Sequence, residues 1–279
     1  MSLFQKTFKG VFWTFFEAIF GNGINFLVLL YLARVIGPSD FGIIGISTIF
    51  ISVSMIFVDG GLSTSLLRQK KCSNIEYSTL FYFNLIVSFL FFLILFFSSE
   101  NISIFFNESI LKDVLKALSI LLIINSFSTV QRTYLMKKFD FKSLYKSSAI
   151  ASFVSGVFSI YLVSISYGIW SVVVFQLLRA VIYATLLWYY TKWKPLFKFS
   201  IVAFKKMWNY GNKLLLSGLL NTGYENLYIL IIGKFYSTKD LALYDRANQI
   251  QLLISIQLDQ IISKVSFPLI AEIQDQNKR

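Results

Sequence analysis

The sequence predicts an all-α integral membrane protein, a polytopic bundle of about eight transmembrane helices. Three observations predict it. Of 279 residues, 56% are hydrophobic and only 14% charged, with a mean hydropathy of +0.66, whereas a soluble domain is nearer a quarter charged. The apolar residues fall into runs of about 20, the length that crosses a hydrocarbon core as a helix. Lysines and arginines gather in every other gap between those runs, which is how topology is written in a membrane protein.

In chain order, the spans expected are Val11–Leu32, Phe41–Leu66, Tyr77–Phe97, Val114–Leu135, Ser147–Ser166, Ile169–Tyr190, Leu214–Gly233 and Leu241–Ile262. Gly37-Pro38, Tyr167-Gly168 and Lys194-Pro195 mark breaks between them. The first run is too long for a signal peptide and no small-residue cleavage site follows it, so it is expected to stay as the first span. One set of gaps holds Lys6 and Lys9; Arg68, Lys70 and Lys71; Lys137, Lys138, Lys142 and Lys146; and Lys192, Lys194, Lys198, Lys205, Lys206 and Lys213. The alternate set holds only Arg34, Lys112, Lys234 and Lys239. The richer set is expected to face the cytoplasm, with the N-terminus inside.

Residues Phe197 to Tyr210 mix Phe199, Ile201, Val202, Phe204, Met207 and Trp208 with Lys198, Lys205 and Lys206, and Ser200 can cap their start. This stretch reads as an amphipathic helix on the inner membrane surface. It divides the chain into an N-terminal six-helix lobe (1–193), an interfacial linker (194–213) and the first two helices of a second lobe (214–279). The aromatic runs Phe81–Phe83 and Phe89–Phe92 read as lipid-facing, and Trp188, Tyr189, Tyr190 and Trp193 as an interfacial belt.

A polar stripe occurs twice. Glu17, Gly21 and Asn25 are four apart in the first span; Ser217, Asn221 and Glu225 repeat the pattern 200 residues on. Arg34 and Asp40 follow the first triplet, and Lys234 and Asp240 follow the second at matched positions. A spacing of four puts each triplet on one helix face, and a polar face in lipid is costly unless it meets protein or water. An even number of intervening spans makes the copies parallel repeats, an arrangement found in transporters.

Other polar residues fall inside the spans. The first span adds Asn22 and Gly23; the fourth carries Asn125, Ser128 and Arg132; the sixth carries Gln176 and Arg179 on one face. The eighth carries Asp245, Arg246, Asn248 and Gln249, then Gln257, Asp259 and Gln260. Arginines facing a central space suit a phosphate-bearing cargo, since a guanidinium binds phosphate oxygens in pairs. Internal salt bridges, such as Glu17 with Arg179, are the competing reading, and for Arg132 it is snorkelling to headgroups. Asp59, before Gly60-Gly61, either binds a coupling cation or caps a helix break.

Composition also excludes. The net charge of +12 is a topology pattern, so no nucleic acid is expected as partner. There is no histidine and a single cysteine, Cys72, which removes His-based acid–base chemistry, an intrachain disulfide and any metal cluster. No cofactor is called for, and the chain is not expected to be an enzyme: an acyltransferase would need a histidine base, and a glycosyltransferase an acidic metal-binding loop.

"LARVIGPSDFG" (Leu32–Gly42), "DGGLSTSLLRQK" (Asp59–Lys70), "NSFSTVQRTYLMKKFDF" (Asn125–Phe141), "YGIWSVVVFQLLRA" (Tyr167–Ala180) and "YDRANQI" (Tyr244–Ile250) resemble the polysaccharide biosynthesis family of lipid-linked oligosaccharide flippases. These are the Wzx-type exporters, of the superfamily that also holds lipid II flippases and multidrug and toxin extruders. The resemblance runs from about Phe4 to Gln274. It implies two helical bundles in a V around a central cavity, in a bacterial cytoplasmic (inner) membrane. It implies an undecaprenyl-diphosphate-linked sugar repeat unit as cargo, carried to the periplasmic leaflet for O-antigen, capsule or exopolysaccharide assembly. Arg179 and Arg246 are the positions that would hold its diphosphate and sugar, with Glu17, Asn22, Asn25 and Glu225 as polar partners. Glu17, Asp59 and Glu225 are the candidates for cation coupling. Membrane lipids, a polysaccharide polymerase and glycosyltransferases are the implied partners. The pattern departs from the family in ending after the second helix of the second lobe. Two alternatives follow: a drug/cation antiporter of the same superfamily, and a non-transporting truncated remnant.

Overall fold

A computed structural model describes residues 22–69 and 72–244, together with Ala247. Among them there is no strand. The helices are α1 (Asn22–Val35), α2 (Pro38–Asp59), α3 (Leu62–Arg68), α4 (Asn74–Phe106), α5 (Ser109–Lys137), α6 (Phe141–Ser164), α7 (Ile169–Thr191) and α8 (Ile201–Phe235). Residues 238–244 begin another helix. The protein is thus an all-α, multi-pass membrane bundle.

Helix limits follow local chemistry. Pro38 stands in the first turn of α2, where its missing N–H costs nothing, and it disfavours helix in the residue before it. A reciprocal capping box opens α4: the Glu76 N–H donates to Ser73 Oγ (3.3 Å) and the Ser73 N–H to Glu76 Oε2 (2.8 Å). Asp140 accepts the Ser143 N–H at the start of α6, and Ser200 accepts the Ala203 N–H at the start of α8. Asn107 ends α4 in a left-handed conformation (φ 57°).

The second expected span, Phe41–Leu66, is broken in the structure. Gly60 (φ 56°) and Gly61 (φ 69°) both take left-handed backbone, separating α2 from α3. The interfacial linker is also redrawn. Residues 192–200 are non-helical, and the stretch from Ile201 continues through the expected seventh span as one 35-residue helix. No proline separates its amphipathic start from its apolar end, and Gly211, Gly218 and Gly223 are accommodated, so hydrogen bonding runs through.

Among the described residues, four helices are long and apolar enough to cross a membrane: α2, α4, α6 and α7. α5 packs on α2, α3, α4, α6 and α7, so most of its surface meets protein, and its polar residues need not meet lipid. α8 combines the apolar stretch Asn226–Phe235 with a polar first half, and lies on α2, α3 and α4.

Among the described residues three apolar clusters hold the bundle, of which a small one joins Leu135, Leu144 and Leu187 and two are larger. The largest joins Leu32 of α1, Ile46 of α2, Leu118 of α5, Phe175 of α7 and Ile229 of α8 with Leu241. The second joins Leu62 and Leu66 of α3, Tyr77 and Phe81 of α4, Val130, Trp193 and Met207. Phe81 and Trp193, read from the sequence as lipid-facing and interfacial, are therefore core residues. Buried serines line the close contacts. Most, like Ser147 and Ser155, donate to carbonyls of their own helix; Ser159 instead donates across to the Ser171 carbonyl (2.6 Å), fastening α6 to α7. Small side chains that satisfy themselves let helices approach.

Candidate functional site

The duplicated stripe sits on equivalent pieces of structure. α1 ends at Val35 and α2 starts at Pro38; α8 ends at Phe235 and the next helix starts at residue 238. Gly37 and Ser237 hold the matching N-cap positions. Asp240 accepts from the Ser237 hydroxyl (2.6 Å) while the Asp240 N–H donates back to it (3.1 Å). The copies also meet. Gly42 of α2 lies against the Thr238 backbone so closely that a Cβ there would overlap it, and Phe41, Leu241 and Ala242 share one core cluster.

The described members of the two triplets, Asn25, Ser217 and Asn221, stand on helices with different neighbours. α1 rests mainly on α6 and α7, whereas α8 rests on α2, α3 and α4. Asn25 is half-buried on α1, and Ser217 and Asn221 are on the exposed side of α8. Asn22 and Glu225 belong to α1 and α8. Glu17, Gly21, Asp245, Arg246, Asn248, Gln249, Gln257, Asp259 and Gln260 lie outside the described residues.

Arg179 occupies the seam between α6 and α7. Its Nε donates to Ser152 Oγ (3.0 Å), and the Tyr183 side chain, one turn on, is its polar neighbour. Among the described residues the ion pairs are Lys112–Glu100 (3.0 Å) and Lys206–Glu76 (2.9 Å), so no described carboxylate neutralises Arg179. Among the described residues its terminal nitrogens make no hydrogen bond, and a guanidinium fork binds anions in pairs. α1 meets α6 at Gly156, where a Cβ would fall 2.6 Å from Val28 Cγ2. Asn25 is one turn before Val28 and Ser152 one turn before Gly156, and with alternating crossings α1 and α6 run the same way. Asn25 and Arg179 therefore share a depth in the bundle.

A second polar cluster lies at the α2–α3 break. The Ser63 hydroxyl donates to the Asp59 carboxylate, and the backbone N–H groups of Gly61 and Ser63 lie near the same carboxylate. The Ser63 bond ties Asp59 across the Gly60-Gly61 break to the first turn of α3, and both readings the sequence offered stay open. Arg132, exposed on α5, is the cation whose field reaches Asp59. Asn84 of α4 is fully buried and, with its amide nitrogen turned to the break, donates to the Val58 carbonyl (2.9 Å). Sequence reasoning missed Asn84, and Lys137 too. The Lys137 ammonium donates to the Leu66 carbonyl (2.9 Å) and to that of Gln69, closing the end of α3. Nothing in a Lys-Lys pair says which lysine turns inward. Among the described residues no group of three or more Cys, Asp or Glu is placed to hold a metal.

The profile of the polysaccharide biosynthesis protein family matches residues 31–279. Lipopolysaccharide biosynthesis protein WzxC of Escherichia coli (strain K12) is 23% identical over 284 residues, covering 100% of this chain and 57% of that protein. Teichuronic acid biosynthesis protein TuaB of Bacillus subtilis (strain 168) is 26% identical, covering 80% of this chain and 47% of that protein. Succinoglycan biosynthesis transport protein ExoT of Rhizobium meliloti (strain 1021) is 19% identical, covering 97% and 55%. The chain spans about half the length of the curated relatives it matches. Among solved structures, the MATE multidrug transporter DinF-BH superposes with a TM-score of 0.59 at 13% identity, over 94% of this chain and 63% of that one. That likeness is one of fold.

Proposed function

The chain belongs to the family of polysaccharide biosynthesis proteins, and from that premise we propose that it is the first half of a lipid-linked oligosaccharide exporter. In this reading residues 1–193 form one six-helix lobe, 194–213 link the lobes and 214–279 open the second. The N-terminus faces the cytoplasm across the bacterial inner membrane. The cargo is an undecaprenyl-diphosphate-linked repeat unit, received from glycosyltransferases and handed to a polymerase. The protein moves this cargo and makes or breaks no bond in it.

The observation that carries this reading is Arg179: a guanidinium in the α6–α7 seam, held by a serine, with no described carboxylate against it. A cation so placed offsets the dehydration of a diphosphate entering the bundle. Asn25 at the same depth supplies a neutral polar partner, with Asn22, Glu17, Glu225 and Arg246 completing the proposed path. Energy enters through a cation gradient acting on an intramembrane carboxylate. Glu17 and Glu225 are the leading groups, and Asp59, which accepts from the Ser63 hydroxyl, is the third.

Complementation of a flippase-null strain tests it. Arg179→Ala is expected to abolish polymer export while membrane expression is unchanged. Arg179→Lys keeps the charge but not the fork and is expected to restore only part of it. Full export by Arg179→Ala removes Arg179 from the mechanism. The drug/cation antiporter alternative rests on the shared fold, and predicts drug resistance from the same plasmid with no polymer export.

A further inference from the structure

The non-helical strip 192–200 crosses the end of the bundle where α3, α5 and α7 finish and α4 begins. It is fastened at three points. The Leu196 N–H donates to Ser78 Oγ (2.9 Å), the Ser200 N–H donates to Thr79 Oγ1 (3.1 Å), and Trp193 is buried against Tyr77 and Phe81. Although its backbone is pinned, its side chains point away. Phe197 is 97% exposed and Val202, in the first turn of α8, 80%. Phe199, Ile201 and Leu196 are exposed beside them. Lys194, Lys198 and Lys205 are interspersed and exposed, and their ammonium groups make no hydrogen bond or ion pair to a described residue. Their neighbour Lys206 is different, being committed to Gln69 (2.8 Å) and Glu76 (2.9 Å).

Exposed aromatic and branched side chains on a pinned backbone are costly in water and stable in an interface. Depth agrees. α8, with its 35 residues, is about 50 Å long, against a hydrocarbon core of about 30 Å and about 40–45 Å with headgroups. Its outer end is set by Lys234, whose ammonium donates to the Phe105 carbonyl (2.6 Å) at the far end of α4. Its inner end, with the strip, therefore falls in the headgroup layer. The strip is on the lysine-rich side, and lysines at that level meet lipid phosphates.

We propose that the strip, through Phe197 and Val202 as wedges and Lys194, Lys198 and Lys205 as counter-charges, is a docking site for anionic phospholipid of the cytoplasmic leaflet. The occupant is lipid because alternating apolar and basic side chains match acyl chain and phosphate at one level. An acidic protein would leave the wedges uncovered. The site is independent of whatever cargo the bundle carries.

The full chain, carrying Cys72→Ser and Phe197→Cys labelled with bimane, is placed in nanodiscs of phosphatidylcholine alone or mixed with phosphatidylglycerol. Quenching by aqueous iodide is compared with the same probe at Tyr167, exposed at the opposite end. The expected result is protection at 197 that grows about threefold or more when phosphatidylglycerol is present, and that high salt or K194Q/K198Q/K205Q abolishes. Val202→Cys carries the same probe as a second site should the first variant misfold. Equal quenching at 197, 202 and 167 in both lipids overturns the proposal. Protection indifferent to phosphatidylglycerol overturns it as well, as does protection found only in native membranes, which would identify a protein occupant.

Discussion

Gly61 lies against the carbonyl of Gly211, with no side chain between the α2–α3 break and the inner part of α8. A Cβ at Gly61 would overlap that carbonyl and reach within 2.8 Å of Leu214 Cβ, and a Cβ at Gly211 would come 2.8 Å from the Gly60 oxygen. This is a backbone-on-backbone contact between the α2–α3 break and α8. It is possible only because both residues lack a side chain.

Gly61→Ala therefore incurs left-handed strain together with overlap, and is expected to destabilise by about 2–4 kcal/mol. Gly211→Ala, at ordinary helical backbone, meets only the overlap and is expected to lose about 1–3 kcal/mol. Gly223→Ala, with nothing within 4 Å, is expected to be neutral or slightly stabilising. Melting temperatures in detergent, followed by size-exclusion fluorescence, order the three.

Lys137 closes α3 from a different helix. Lys137→Met strands the Leu66 and Gln69 carbonyls and is expected to lower stability by about 1.5–3 kcal/mol. Lys137→Arg recovers part of this. Hydrogen exchange should speed up first in α3, ahead of α4.

The Glu76–Lys206 pair ties α8 to the start of α4. Lys206 is largely exposed, so a double-mutant cycle with Glu76→Gln and Lys206→Met is expected to give a coupling of about 0.5–1 kcal/mol that fades with salt. Glu76→Ala alone costs more than Lys206→Met alone, because it also opens the capping box on Ser73, which Glu76→Gln can keep. Chemical denaturation of the single and double variants checks both statements.

Ser152 positions Arg179. Ser152→Ala frees the guanidinium Nε and is expected to reduce export about fivefold, the equivalent of about 1 kcal/mol, with expression intact. Ser152→Thr, which keeps a hydroxyl, is expected to retain more activity. Polymer export in the complementation strain reads the difference.

The repeat was legible because polar residues in lipid stand out. The offset of 200 read from Glu17, Asn25, Ser217 and Glu225 is also the offset between the helix ends at Val35 and Phe235. Asp-Gly-Gly was legible as a break only as one of two readings, since the letters cannot say whether a carboxylate caps or coordinates. The continuity of α8 was not legible: a basic, half-apolar start and an apolar finish share the helical period, so no letter separates them. Phe81 and Trp193 were misplaced for a related reason. An aromatic residue packs equally well on lipid or on another ring, and only the approach of α5 and the 192–200 strip decides. The roles of Asn84, Lys137 and Ser152 depend on partners more than 20 residues away in the chain, which spacing does not encode.

Gly61 against Gly211 sutures α2 and α3 to α8 at one extremity, and Gly42 against Thr238, in the helix that follows α8 after a two-residue turn, holds the other. Rods joined at both extremities cannot scissor. α2, α3 and α8 are therefore expected to move as one rigid body, with any hinge line running elsewhere.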